Sequence, residues 1–139
     1  MQDDFEWKLI TMATLKNSIH NNDTIAGTSG EDTLDGTSGS DTIWTGEGND
    51  VAYGDAEDDR LTGFPGDDTL FGGTDDDEIY GDEGNDSMIG GSGNDSIWDG
   101  VGNDYLEGND GNDRLDAHIG NDTLIGGIGD ERYEKMKRF

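Results

Sequence analysis

A nine-residue period runs through most of this chain, and it restricts the possible folds more than any other feature. An aspartate recurs every nine residues without a single insertion. The twelve aspartates in this register are Asp23, Asp32, Asp41, Asp50, Asp59, Asp68, Asp77, Asp86, Asp95, Asp104, Asp113 and Asp122. Self-similarity at a short fixed period is typical of proteins built from stacked repeats.

An apolar residue stands two positions after each of these aspartates, although only 29% of the chain is hydrophobic. The twelve apolar residues are Ile25, Leu34, Ile43, Ala52, Leu61, Leu70, Ile79, Met88, Ile97, Leu106, Leu115 and Leu124. Glycine usually stands two and five positions before the aspartate. The clearest copy is Gly-Gly-Ser-Gly-Asn-Asp-Ser-Ile-Trp at 90–98, and a degraded thirteenth copy follows at 126–134.

The pattern within each copy predicts a short strand followed by a turn. Three residues centred on the apolar position form a minimal strand with one inward side chain. The remaining residues between strands are rich in Gly and Asn, which tolerate turn conformations. Two copies then complete one turn of an all-β solenoid of about six turns. We expect a cap segment at 1–17, the repeats at 18–125, and a degenerate repeat with a C-terminal cap at 126–139.

The charge of the chain points to cations as its partners. The 139 residues carry 34 acidic and 8 basic side chains, for a formal charge of −26. Nucleic acid is excluded as a partner because phosphate contacts require Lys and Arg, and no segment is apolar enough to span a membrane. One apolar side chain in each copy gives little core, so the isolated chain is expected to be disordered.

These copies resemble the RTX family of calcium-binding nonapeptide repeats, whose signature is G-G-x-G-x-D-x-U-x. The resemblance implies a right-handed parallel β-roll in which calcium lies between neighbouring turns on the same side. Each ion would be held by the aspartates of both turns and by glycine-loop carbonyls, so the twelve aspartates are the predicted metal ligands. Up to about ten ions fit this arrangement, and ten would change the formal charge from −26 to −6.

Several copies depart from the glycine pattern. Glu57 and Asp75 replace the glycine two positions before Asp59 and Asp77, which makes the 59/77 site the weakest prediction. Thr45, Asp99 and Ala117 replace the glycine five positions before the aspartate.

No catalytic constellation accompanies the repeats. His20 and His118 are the only histidines and are interpreted as loop residues, and the HExxH zinc-protease motif is absent. We therefore predict that the protein is not an enzyme.

Aromatic and apolar residues occupy outward strand positions on both sides. Tyr53, Phe71 and Ile89 recur at every second copy and stack on one side, and Trp44, Tyr80 and Trp98 lie on the other. They are interpreted either as cross-strand packing or as faces for self-association.

Two functions remain from the sequence. The first is a free-standing extracellular or cell-surface structural protein of bacteria, assembled by calcium, which the initiating Met, the non-repeat N-terminal segment and the aromatic faces favour. The second is the folding and secretion module of a larger toxin, protease or lipase exported by type I secretion, the route that the resemblance implies. An ice-binding or adhesin segment is a weaker alternative because no regular Thr/Asn ladder is present. The N-terminal residues lack the basic and apolar regions of a signal peptide, so Sec-type export is not expected.

Overall fold

The computed structural model describes residues 22–135 and the backbone of residues 14–16. Most of the predicted N-terminal cap, His20 and the last four residues of the predicted C-terminal cap therefore lie outside the described residues.

Fourteen β-strands and no helix are found in the described part of the chain. The strands are β1 (Thr14–Lys16), β2 (Thr24–Ala26), β3 (Thr33–Asp35), β4 (Thr42–Trp44), β5 (Val51–Ala56), β6 (Arg60–Thr62), β7 (Thr69–Thr74), β8 (Glu78–Glu83), β9 (Ser87–Ser92), β10 (Ser96–Val101), β11 (Tyr105–Asp110), β12 (Arg114–Ala117), β13 (Thr123–Ile128) and β14 (Arg132–Lys135). The described residues therefore contain no helix that is long and apolar enough to cross a membrane.

The strands alternate between two parallel seven-stranded sheets. Odd-numbered strands form one sheet in the order β1-β3-β5-β7-β9-β11-β13, and even-numbered strands form the other. Within 22–135 each strand pairs with the strand two copies further along the chain, as Ile79 does with Ile97. This arrangement confirms the predicted all-β parallel solenoid of about six turns with two copies per turn.

The first strand pairs in a register that differs from that of the repeats. Leu15 of β1 lies opposite Leu34 of β3, whereas the spacing of the repeats would place Lys16 there. The parallel sheet thus extends into the segment predicted to be a cap, and β1 pairs one residue out of the register of the repeats.

The core is a double file of single side chains between the two sheets. Eleven of the twelve predicted apolar residues, from Ile25 to Leu115, are buried and form one cluster, with Leu124 partly buried against it. Ala52 is fully buried between the turns that carry Leu34 and Leu70. Tyr133, in the degenerate copy, is 52% exposed, so the core ends at its C-terminal side near Leu124.

The strands in the middle of the solenoid are longer than the minimal strands predicted. Seven of the fourteen have six residues, and in β7 both Leu70 and Gly72 are buried. Residues two apart in a strand share a face, so the position of Gly72 points inward beside the core residue. The extension arises because the turn backbone also pairs across turns, as Gly73 does with Gly91.

Candidate metal centre

The predicted aspartates stack in two vertical files, one along each edge of the solenoid. The backbone N–H of Asp59 donates a hydrogen bond to Oδ1 of Asp77 at 2.8 Å, and Asp77 donates in the same way to Asp95 at 2.9 Å. This bond links each aspartate from Asp23 to Asp104 to the aspartate of the next turn in its file. One carboxylate oxygen of each acceptor is therefore used to satisfy the backbone of the preceding turn.

The second carboxylate oxygen is buried and has no hydrogen-bond partner in ten of the twelve aspartates. These ten Oδ2 atoms belong to Asp41, Asp50, Asp59, Asp68, Asp77, Asp86, Asp95, Asp104, Asp113 and Asp122. A buried oxygen without a partner loses the solvation it would have in water, at a cost of about 1–3 kcal/mol or more when it is charged. Ten such atoms in regular positions indicate that a cationic group belongs beside them.

The first loop glycine leaves open the space into which this oxygen points. A Cβ on Gly72 would lie 2.4 Å from Oδ2 of Asp77 and 2.7 Å from the carbonyl oxygen of Gly90 on the next turn. The same crowding occurs at Gly54 with Asp59 and at Gly108 with Asp113. In the copies that have this glycine, carboxylate and carbonyl oxygens thus converge on space that the missing side chain leaves free, and calcium takes six to eight such oxygen ligands.

Burial makes the ionised form of these aspartates unfavourable. Burial, and then the neighbouring charges of Asp95 and Asp59, raise the pKa of Asp77 to about 8, against an opposing hydrogen bond from the Asp59 backbone. Burial also raises the pKa of Asp59, Asp68 and Asp86 to about 7. A bound divalent cation reverses this preference because it stabilises the carboxylate form.

The ends of the two files differ from their middle. Asp32 is buried, but its carboxylate accepts hydrogen bonds from the backbone N–H and the hydroxyl of Thr28. At the other end, Glu131 of the degenerate copy replaces aspartate, and its Oε2 accepts the backbone N–H of Asp113 at 3.0 Å. The longer glutamate side chain thus continues the pattern one turn beyond the last regular aspartate of its file.

The loops with Glu57 and Asp75 keep a positive φ at this position, although it is smaller than the 142° of Gly93 at the same position. Both residues adopt the left-handed conformation, with φ of 78° and 80°. Asp59 and Asp77 nevertheless remain stacked like the other pairs, with the N–H of Asp59 donating to Oδ1 of Asp77. The weakness of the 59/77 site stays a prediction about ion binding.

One acidic residue in the interior was not predicted as a ligand. Asp99 stands where most copies have their first glycine, and it is fully buried with an Oδ2 that has no hydrogen-bond partner. One oxygen each of Asp99, Asp104 and Asp122 lie within 4.8 Å of one another, the only such trio in the described part of the chain. The sequence feature that could have identified Asp99 as a ligand is the replacement of an inward-facing loop glycine by an acidic residue.

The comparisons with known proteins agree with this geometry. The family model described as RTX calcium-binding nonapeptide repeat matches four times, at residues 21–52, 44–79, 62–97 and 98–130. No curated protein matches the chain, and no solved structure does. Because the four matches together cover most of the sequence and the donor set suits calcium, the chain belongs to the RTX calcium-binding nonapeptide repeat family.

Proposed function

We propose that this chain is an extracellular structural protein that folds when calcium ions enter the two files of aspartates. The ten buried Oδ2 atoms that have no hydrogen-bond partner carry this proposal. Each predicted pair of stacked aspartates, from 23/41 to 104/122, would share one ion. Since the site is formed only by stacked turns, the free energy of ion binding contributes to folding.

An extracellular location fits this dependence on calcium. RTX repeat proteins are typically secreted by bacteria. Calcium modules that work outside cells bind with dissociation constants of about 10⁻⁴–10⁻³ M. A chain that folds only in that concentration range would stay unfolded wherever calcium is scarce.

Circular dichroism in chelator and in millimolar calcium tests the proposal. We expect a disordered spectrum in chelator and a β spectrum in calcium. Magnesium is the matched control, because it demands a smaller octahedral site and dehydrates reluctantly. A β spectrum of equal strength in chelator would contradict the proposal.

Self-association through the aromatic faces is the finer part of the proposal. Tyr53 and Phe71 stack with ring centroids 5.0 Å apart on one sheet, and Tyr80 and Trp98 stack at 4.6 Å on the other. Trp44 is 44% exposed on the same sheet as Tyr80. Thr62 lies between Trp44 and Tyr80 in that sheet, so Trp44 is not next to the stacked pair. The Tyr53–Phe71 pair forms an apolar surface suited to a second copy. The guanidinium groups of Arg60 and Arg114 lie over the Tyr80 and Trp98 rings and make that face partly cationic.

The alternative function, a folding and secretion module of a larger secreted toxin, protease or lipase, predicts a different behaviour in solution. Sedimentation velocity in calcium distinguishes the two. Oligomers that grow with protein concentration support the structural protein, and a monomer at high concentration supports the module.

A further inference from the structure

Asp99 differs from the other residues that replace the first loop glycine. Thr45, Asp99 and Ala117 lie in the same file of loops, and all three are buried. The hydroxyl of Thr45 donates to the carbonyl oxygen of Gly63, and Ala117 has no polar side chain. Asp99 alone of the three brings a carboxylate into the interior.

The two oxygens of Asp99 have different surroundings. Oδ1 accepts the backbone N–H of Gly100 at 2.6 Å and that of His118 at 2.7 Å, and Nδ1 of His118 lies 3.5 Å from it. These contacts fix the orientation of the carboxylate. Oδ2 has no hydrogen-bond partner, and it belongs to a side chain with no exposed surface.

The carboxylates around Asp99 are held in the same way. Oδ1 of Asp104 accepts the N–H of Asp86 at 2.8 Å, and Oδ1 of Asp122 accepts that of Asp104 at 3.3 Å. The Oδ2 atoms of both have no hydrogen-bond partner. Among residues 22–135, a cationic group lies beside this cluster: Nζ of Lys135 is 3.5 Å from Oδ2 of Asp122. The Lys135 side chain is 55% exposed, so its ammonium group is free to turn into solvent when a metal ion arrives.

We propose that Asp99 is a third carboxylate ligand, which makes the 104/122 site the tightest in the solenoid and the one that prefers trivalent ions. This inference rests on the proposed function, because it assumes that the aspartate pairs bind calcium. The ordinary pairs offer two carboxylates to an ion, whereas this site offers three, with a combined charge of −3. Calcium affinity in proteins rises with the number of charged ligands and with the rigidity of the site, and Asp99 adds to both.

The test measures how much terbium(III) the folded protein retains in competition with calcium. The calcium-loaded chain is exposed to terbium, dialysed against millimolar calcium, and its bound terbium is counted. We expect the wild type to retain one equivalent, at a site with an affinity about tenfold or more above the others. Asp99→Asn, which keeps the shape of the side chain, should lose that equivalent.

Asp82→Asn is the matched control. Asp82 is exposed on the preceding turn, in register with Gly100, so the variant removes the same charge without altering the cluster. It should retain terbium like the wild type. Asp99→Gly, which restores the usual loop residue, should behave like Asp99→Asn and covers the case in which the asparagine variant does not fold.

The outcomes separate this inference from the proposed function. Circular dichroism in calcium first establishes that the wild type and the variants are folded. If calcium does not fold the wild type, the proposed function fails. If the wild type folds but retains no terbium, or if both Asp99 variants retain as much as the wild type, only the third ligand is refuted.

Discussion

Gly72 leaves free the space in which the carboxylate of Asp77 lies, since a Cβ at Gly72 would sit 2.4 Å from Oδ2 of Asp77. The same Cβ would be 2.7 Å from the backbone carbonyl oxygen of Gly90, which cannot move without disturbing the next turn. Gly72 thus leaves room for the carboxylate and carbonyl oxygens that the proposed ion site would use.

Gly72→Ala should therefore destabilise the calcium-loaded protein. Forcing a methyl group into this space costs about 1–3 kcal/mol, and more if an ion is expelled. Urea unfolding in millimolar calcium measures the loss. Ser92→Ala is the control, because Ser92 is exposed at the end of β9, and its free energy of unfolding should stay within about 0.5 kcal/mol of the wild type. Equal stability of Gly72→Ala and the wild type would contradict the interpretation.

Substitutions of Asp77 separate the two roles of its carboxylate. Asp77→Asn keeps an oxygen that can accept the N–H of Asp59 but removes the charge that faces the ion. At calcium concentrations about 100 times the dissociation constant, each lost ion lowers the free energy of unfolding by about 2.7 kcal/mol. Asp77→Ala also removes the hydrogen bond and should cost about 1 kcal/mol more.

Exposed Asp76 provides the control for these variants. Asn94 occupies the position of Asp76 one turn later, so Asp76→Asn introduces a residue that the solenoid already has there. The new side chain keeps an oxygen that can accept the backbone N–H of Asn94, which donates to Asp76 Oδ1 at 2.7 Å. Its urea midpoint in calcium should match that of the wild type. A loss for Asp76→Asn as large as that for Asp77→Asn would mean that general charge, and not the interior site, controls stability.

The raised pKa values predict an unusual pH dependence in the absence of metal. The pKa of Asp77 is about 8 and those of Asp59, Asp68 and Asp86 about 7 in the folded chain, against an ordinary value of 3.8. Because these values are raised on folding, the folded form binds more protons than the unfolded form. The stability from this source is then fully present below about pH 3.8 and is lost as the pH rises through about 7–8.

In chelator, the chain should gain β structure when the pH is lowered from 8 to 5, as measured by circular dichroism. Saturating calcium should remove most of this gain, because the cation already neutralises the same carboxylates. An unchanged disordered spectrum at pH 5 in chelator would show that repulsion between buried carboxylates is not what prevents folding.

Glu57→Gly should stabilise the protein. Glu57 adopts a φ of 78°, which costs a residue with a side chain about 1–2 kcal/mol relative to glycine. The change also removes a negative charge that contributes to the raised pKa of Asp41. We expect a gain of about 1 kcal/mol in urea unfolding with calcium.

Gly93→Ala is the reverse experiment at the same loop position two turns later. Gly93 has a φ of 142°, and its Cβ would lie 1.9 Å from the carbonyl oxygen of Asp75. This variant should lose stability. If both substitutions had the same sign, the backbone conformation would not be the cause.

Self-association should depend on the stacked rings. The double variant Tyr53→Ser/Phe71→Ser removes both rings of one stacked pair. Trp98→Ser removes one ring of the Tyr80–Trp98 pair on the other sheet. If these faces mediate assembly, at least one of the two changes should shift the sedimentation distribution in calcium toward monomer. Ile128→Ser is the control, because Ile128 is 76% exposed but lies outside both aromatic pairs. An equal shift for the control would assign assembly to general surface hydrophobicity.

The period alone was sufficient to predict which residues stack. Once Asp95 and Asp113 are in the same position of successive turns, their vertical contact follows from two copies per turn, and the burial of Ile97 follows from strand alternation. The extension of the strands was not predictable, because pairing of the turn backbone depends on neighbouring turns and not on the local sequence. The inward direction of Asp99 was missed for the same reason.

The backbone N–H of each repeat aspartate from Asp23 to Asp113 donates to an acid one turn later, and this gives the solenoid a polarity. Removing a turn from the N-terminal end takes away a donor and leaves an acceptor that water or a cation can serve. Removing one from the C-terminal end leaves an N–H group without its acceptor, as loss of Glu131 would do to Asp113. The two ends of the solenoid are consequently not equivalent, because the hydrogen bonds of each turn are completed by the turn that follows it in the sequence.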